Sequence, residues 1–175
     1  MNILMTRPNL CDLPPVIIPE GYKLVTACEI ENLPAVWSRA INEAFGDQNW
    51  TEEYVLQEFI TREQFDPAGA FFILYEGQPV AMAFKWRDTP EERVTGRVHY
   101  VATVGDHRGK GLGRAVVVTV LHSMREHGLS RAVLTTQPYR LPAIRLYMSL
   151  GFEPTPRNEE EQAAWQEVGE KLQAR

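Results

Sequence analysis

Cysteine is nearly absent: Cys11 and Cys28 are the only two in 175 residues. Two are too few for a disulfide framework, and the shortage fits a reducing cytoplasm. Cys11 falls in a proline-rich leader and Cys28 just before a helix-like segment, so neither reads as a catalytic thiol. Long hydrophobic runs are missing too. The longest, residues 115 to 121, is far too short to span a bilayer. The first residues have neither the basic opening nor the continuous apolar stretch of a secretory signal. Positive charge is in deficit, with 18 Lys and Arg against 23 Asp and Glu and a formal net charge of -5. That balance argues against nucleic acid as the principal partner. His, Cys and carboxylates fall at no spacing that suggests a metal site. The remaining composition, 44% hydrophobic and 23% charged, is that of one ordinary domain able to bury a core.

Against this acidic background, cations gather in one place. Residues 103 to 114 read Thr-Val-Gly-Asp-His-Arg-Gly-Lys-Gly-Leu-Gly-Arg, a glycine-rich turn between a strand-like run and an apolar helix. Gly109, Gly111 and Gly113 permit left-handed backbone and keep Cβ atoms away from an approaching anion. The helix that follows turns unpaired N–H groups and its positive dipole end to the same spot. Arg108, Lys110 and Arg114 add charge. A P-loop is excluded, since Gly111 rather than Ser or Thr follows Lys110. A dinucleotide fingerprint is also excluded: the spacing is G-x-G-x-G, and the next apolar run, 132–136, ends in threonines rather than an acid. A turn that held no ligand would not require three glycines and three cations within seven residues.

Elsewhere the pattern is α/β. Pro8, Pro14, Pro15 and Pro19 predict an irregular leader over 1–19, followed by a short strand near 22–25. Ile30, Leu33, Val36, Trp37, Ala40, Ile41, Ala44 and Phe45 have helical spacing. Thr51 offers an N-cap, with Glu52 and Glu53 at the positive end of a second helix running toward Phe65. Strands are expected at 71–75 and 79–86, and a third at 97–104, where Val98, Tyr100, Ala102 and Val104 would share one apolar face. Arg97 and His99 would lie opposite, an odd place for charge unless a cleft opens there. A helix over 113–127 ends at Gly128, and a shorter one begins near Pro142 and stops at Gly151. Tyr147 on this last helix reads, taken alone, as a core residue.

The two segments together, R-G-x-G-x-G and then A-x-x-L-Y-x-x-x-G-F at 143–152, resemble the GNAT superfamily of N-acetyltransferases. The resemblance spans roughly residues 20 to 153 and is strongest from 97 onward. It implies a mixed, mostly antiparallel central sheet flanked by helices, with the acetyltransferase domain over 20–157. It also implies acetyl coenzyme A as cosubstrate, with its pyrophosphate on Arg108, Gly109, Lys110, Gly111, Leu112, Gly113 and Arg114. The pantetheine arm would meet the backbone of Val101, Ala102 and Thr103, and Tyr147 would be the general acid. Arg140 stands where many relatives have an asparagine near that arm; it could reach a coenzyme phosphate or be solvated.

His99 is the best local base for the acceptor amine, or else a strand histidine that is merely hydrogen-bonded, since 97–104 contains no acid. His107 reads as a solvated loop residue. Acceptor recognition is expected from Trp37, Phe45, Asp47, Trp50, Tyr54, Trp86 and Arg97, with Glu43, Glu52 and Glu53 either attracting a cation or forming a solvated face. The acceptor is a small-molecule or peptide amine, and no metal, nucleic acid or membrane is expected. The protein would be a monomer or homodimer. Glu153-Pro154-Thr155-Pro156 breaks off the family's final strand, and 158–175 reads as an unusual acidic C-terminal helix covering its own domain or a partner. The other readings are an acyl-coenzyme A sensor without turnover and a protein-interaction domain using the terminal helix.

Overall fold

Alternating burial along extended segments defines the sheet. A computed structural model of the chain describes residues 1–46 and 49–174. Among them, seven strands form one sheet: β1 (Ile3–Arg7), β2 (Tyr22–Thr26), β3 (Ala70–Tyr75), β4 (Gln78–Trp86), β5 (Thr95–Thr103), β6 (Arg131–Thr136) and β7 (Glu153–Pro154). Their order is β2-β3-β4-β5-β6-β1-β7, and only β5 and β6 run parallel. The helices are α1 (Leu33–Phe45), α2 (Glu52–Val55), α3 (Leu112–Glu126), α4 (Leu141–Ser149) and α5 (Glu159–Gln173).

Neighbouring strand residues enter different cores, as a period of two requires. Ile73, Ala83 and Val98 pack with residues of α3, α4 and α5, whereas Phe72, Phe84 and Ala102 pack with residues of α1 and α2. Helices thus cover both faces of a mixed, mostly antiparallel sheet. The second helix is shorter than its pattern predicts. Thr51 does cap it, accepting from the Tyr54 amide at 3.1 Å, but after Val55 the chain widens into a π-helical turn over Leu56–Ile60.

Two further expectations fail. The leader is not irregular throughout: β1 lies inside the sheet between β6 and β7, with Ile3 and Met5 fully buried. This five-residue alternation pairs with residues 132–136, far along the chain, while the prolines after it dominate local composition. Nor do Val98, Tyr100 and Ala102 share a face. Tyr100 has a φ of 49°, and pairing jumps from Met82↔Ala102 to Phe84↔His99, so β5 carries an extra residue. This bulge leaves Val98 in the α3 core and turns Tyr100 toward the α1 core.

The C-terminal segment closes the sheet's far edge. The two-residue β7 pairs with β1, and the Thr155 amide donates to the Leu4 carbonyl at 3.1 Å. Asn158 caps α5 by accepting from the Glu161 amide at 2.9 Å, and three glutamates occupy the positive first turn. Ala164, Trp165 and Val168 are buried in the α3-side core. Asn158→Ala is expected to lower stability by about 1 kcal/mol without changing activity. Thermal melting checks the first part, and an unchanged melting temperature would remove the cap from the account.

Candidate active site

The parallel pair opens a wedge. β5 and β6 pair only at Thr95↔Arg131, Gly96↔Ala132 and Arg97↔Val133, although β5 continues to Thr103 and β6 to Thr136. The stretch of β5 that contains Val101, Ala102 and Thr103 therefore presents backbone toward β6 without pairing to it. At its end, after a short helical turn over Gly105–His107, comes the glycine cradle.

Gly109 and Gly111 take φ values of 75° and 82°, the left-handed region that glycine adopts without strain, and a Cβ at either would point into open space. Gly111 is the N-cap of α3, and the helix's first internal bond runs from the Ala115 amide to the Gly111 carbonyl at 3.0 Å. The amides of Gly111, Leu112, Gly113 and Arg114 thus have no partner within the helix. Together with exposed Lys110 and Arg114 they fit a diphosphate.

Arg108 makes contacts of its own within the fold. Its Nη2 donates to the Ala44 carbonyl at 2.5 Å and its Nε to the Thr103 carbonyl at 3.2 Å. The guanidinium ties the cradle to the last turn of α1. His107 is not simply solvated either, since its Nδ1 lies 2.9 Å from the Tyr22 hydroxyl.

α4 packs against the start of α3. The Cβ position of Gly113 lies 3.6 Å from both Leu146 Cδ2 and Thr103 Oγ1, and Arg114 Nη1 donates to Ser149 Oγ at 3.2 Å. The cradle, the end of β5 and the helix carrying Tyr147 therefore converge. The Tyr147 ring is 6% exposed; its hydroxyl has no hydrogen-bond partner among the described residues but still reaches solvent. Burial pushes this phenol up to about 12, opposed by the nearby Arg140 cation. It therefore stays protonated at neutral pH and can donate. Arg140 sits 4.5 Å above the Phe45 ring, a cation–π contact joining the start of α4 to the end of α1.

His99 lies on the bulged strand, its ring 4.1 Å from that of Tyr100 and 5.5 Å from that of Trp86. It has no hydrogen-bond partner among the described residues. Burial, helped by Arg97 and opposed by Asp88, pushes it down to about 4. The imidazole is therefore neutral at physiological pH, and the same burial makes it a weaker base than a free imidazole. From His99 a wall of rings continues through Tyr100 to Trp50, Phe59 and Tyr54, with neighbouring centroids 4.9 to 5.2 Å apart.

Other acceptor candidates are redistributed. Trp37 is fully buried and belongs to the core. Arg97 is bound by both oxygens of Asp88 at 2.5 and 2.6 Å, a pairing that also holds the Asp88 carboxyl below its usual range. Glu43, Glu52 and Glu53 are exposed, and Asp47 lies outside the described residues. Phe59 and Asp88 escaped sequence reasoning, the first hidden in a helical pattern and the second in a polar loop.

Comparison with known proteins identifies the family. The model of the Acetyltransferase (GNAT) family matches residues 29–152. Mycothiol acetyltransferase from Thermomonospora curvata is 32% identical over 86% of this chain and 51% of its own length, and that from Thermobispora bispora 33% identical over 85% and 52%. The chain thus spans about half the length of these curated relatives. The crystal structure of a GCN5-related N-acetyltransferase from Sphaerobacter thermophilus superposes with a TM-score of 0.69 at 24% identity, covering 89% of this chain and 48% of that one. The family model spans the wedge, the cradle and the tyrosine helix alike, and the chain belongs to the acetyltransferase (GNAT) family.

Proposed function

We propose that the chain transfers an acetyl group from acetyl coenzyme A directly to a primary amine while both are bound. The observation that carries this reading is the unpaired wedge between β5 and β6, which ends in the glycine cradle with the Tyr147 helix packed beside it. The amides of residues 111–114 hold the coenzyme's diphosphate, with Lys110 and Arg114 adding charge. The backbone of Val101, Ala102 and Thr103 lines the pantetheine path. Bound acetyl coenzyme A supplies an acyl group on a thiol that can leave. The acceptor nitrogen forms the new C–N bond, and its surplus proton passes to His99, directly or through water. As the C–S bond breaks, Tyr147 gives its proton to sulfur and regains one from solvent.

The ring wall from Trp86 and His99 to Tyr54 supports an acceptor with an apolar, ring-bearing body. The matched relatives carry the name mycothiol acetyltransferase, so a mycothiol-related acceptor is the competing class. Coenzyme release from acetyl coenzyme A is measured against 2-phenylethylamine, a polyamine, a peptide with a free N-terminus and a mycothiol-related acceptor. The ring-bearing amine is expected to be fastest. Preference for the mycothiol-related acceptor would overturn the ring-bearing class, and tight coenzyme binding without turnover on any acceptor would mark a sensor.

His99 gives this reading a pH signature. With its folded value near 4, below the unfolded value of about 6.5, His99 stays neutral, the form a base requires, down to about pH 4. Its contribution to stability is present above the unfolded value and is lost as pH falls through 6.5 toward 4, because the unfolded chain takes the proton first. His99→Gln is expected to lower kcat/KM about 100-fold at pH 7 and to flatten the loss of urea resistance between pH 6.5 and 4. Unchanged kcat/KM would remove His99 from proton transfer.

A further inference from the structure

The helix that carries Tyr147 is fastened at its C-terminal end by the first strand of the chain. The last carbonyls of α4 have no partners within the helix. That of Tyr147 is satisfied in the following turn, accepting from the amides of Leu150 and Phe152 at 3.0 Å each. That of Leu150 is satisfied from outside: Arg7 Nη1 donates to it, while Nη2 donates to the Asp12 carbonyl at 2.8 Å. Arg7 is 8% exposed and ends β1, a strand held on both sides by β6 and β7. Gly151, at a φ of 80°, is shaped around the guanidinium, because a Cβ there would collide with Nη1.

We infer that Arg7 is a positioning residue for Tyr147: by clamping the last turn of α4 to the strand beside β6, it sets where the phenol meets the departing sulfur. The inference rests on the acid role proposed for Tyr147. Its physical case is that an apolar residue would serve bulk stability more simply. Arg7 instead buries a charge and leaves its Nε–H without a partner, both of which cost stability. That cost is offset at two places, the Asp12 carbonyl and the open carbonyl at the negative end of the α4 dipole, and the second of these is the link to the tyrosine helix. β6 forms one wall of the wedge and β1 is its neighbour, so the clamp references the phenol to the cleft rather than to the surface.

The test is a double-mutant cycle of wild type, R7M, Y147F and R7M/Y147F, with acetyl coenzyme A and 2-phenylethylamine as probes. Coenzyme A affinity is measured by calorimetry. R7M is expected to lower kcat about 10- to 100-fold, the scale of a misplaced catalytic group, with coenzyme affinity within about 2-fold. In the Y147F background the same change should cost almost nothing, since a displaced phenol and an absent one are the same loss. R7K, which keeps a cation at the end of β1, should recover part of kcat. Wild-type kcat in R7M, or equal losses in both backgrounds, would reduce Arg7 to a stability element. If R7M does not fold, R7K is judged by the same cycle. Full activity in Y147F alone rejects the acid role itself, whereas a slow Y147F beside a fast R7M rejects only the clamp.

Discussion

Tyr147→Phe is expected to lower kcat by about 100- to 10,000-fold, the range a positioned general acid contributes, while coenzyme affinity changes little. The reason lies in the local environment. The ring is packed in the α3-side core near Phe152, so phenylalanine keeps the apolar contacts and removes only the oxygen. That oxygen has no partner among the described residues, so its loss orphans no buried group and should cost little stability. A phenol pushed up to about 12 is a weaker acid than a free one, so in the proposed acid role it would donate a strong hydrogen bond as charge develops on sulfur, with the proton following. Activity should therefore show no alkaline loss from this group below about pH 11, because the donor form persists. Coenzyme release measured across pH 6 to 10 for both proteins checks the magnitude and the profile. Wild-type turnover in the variant would withdraw the assignment.

How far the sequence alone reached depended on whether the chemistry is written in local spacing. The cradle was legible because glycine identity and position directly encode left-handed backbone, and Gly109 and Gly111 adopt it. The tyrosine helix was legible because Pro142 and Gly151 bracket it. The bulge at Tyr100 was not, since a positive φ at a tyrosine is imposed by packing against Trp50 and Phe59 rather than by its own preference. β1 was missed because a five-residue strand without turn signals becomes a strand only through its distant partners. The bland reading of His107 failed for the same reason, as Tyr22, its partner, lies 85 positions away. Arg108 was half understood. Its charge suggested a phosphate, but not that two of its donors, Nε and Nη2, go to carbonyls that join α1 to the cradle. Long-range polar contacts of this kind join elements far apart in the chain and leave no periodic trace.

Gly111→Ala should produce the largest loss of coenzyme binding available from a single methyl group. The effect is not steric crowding within the free protein, because a Cβ at this position meets no heavy atom within 4 Å. It comes from the backbone: at a φ of 82° an L-residue is strained by about 1–2 kcal/mol, and relaxing that strain rotates the peptide that aims the first amides of α3. Charge-assisted hydrogen bonds to a diphosphate contribute about 1.5–3 kcal/mol each, so misdirecting two of them predicts at least about a 100-fold weaker coenzyme A affinity. Gly113 is the internal control. It lies inside the first turn of α3 with no positive φ, and its Cβ position makes ordinary 3.6 Å contacts. Gly113→Ala keeps the helical backbone that aims the amides, so it should lose less affinity than Gly111→Ala and fold slightly more stably, as alanine is the better helix former. Calorimetric titration of the three proteins at two salt concentrations separates amide geometry from bulk charge, because Lys110 and Arg114 remain in all of them. The gap between the two variants should persist at high salt. If both bind alike, the left-handed turn does not grip the coenzyme, and the wedge beyond it has lost its anchor.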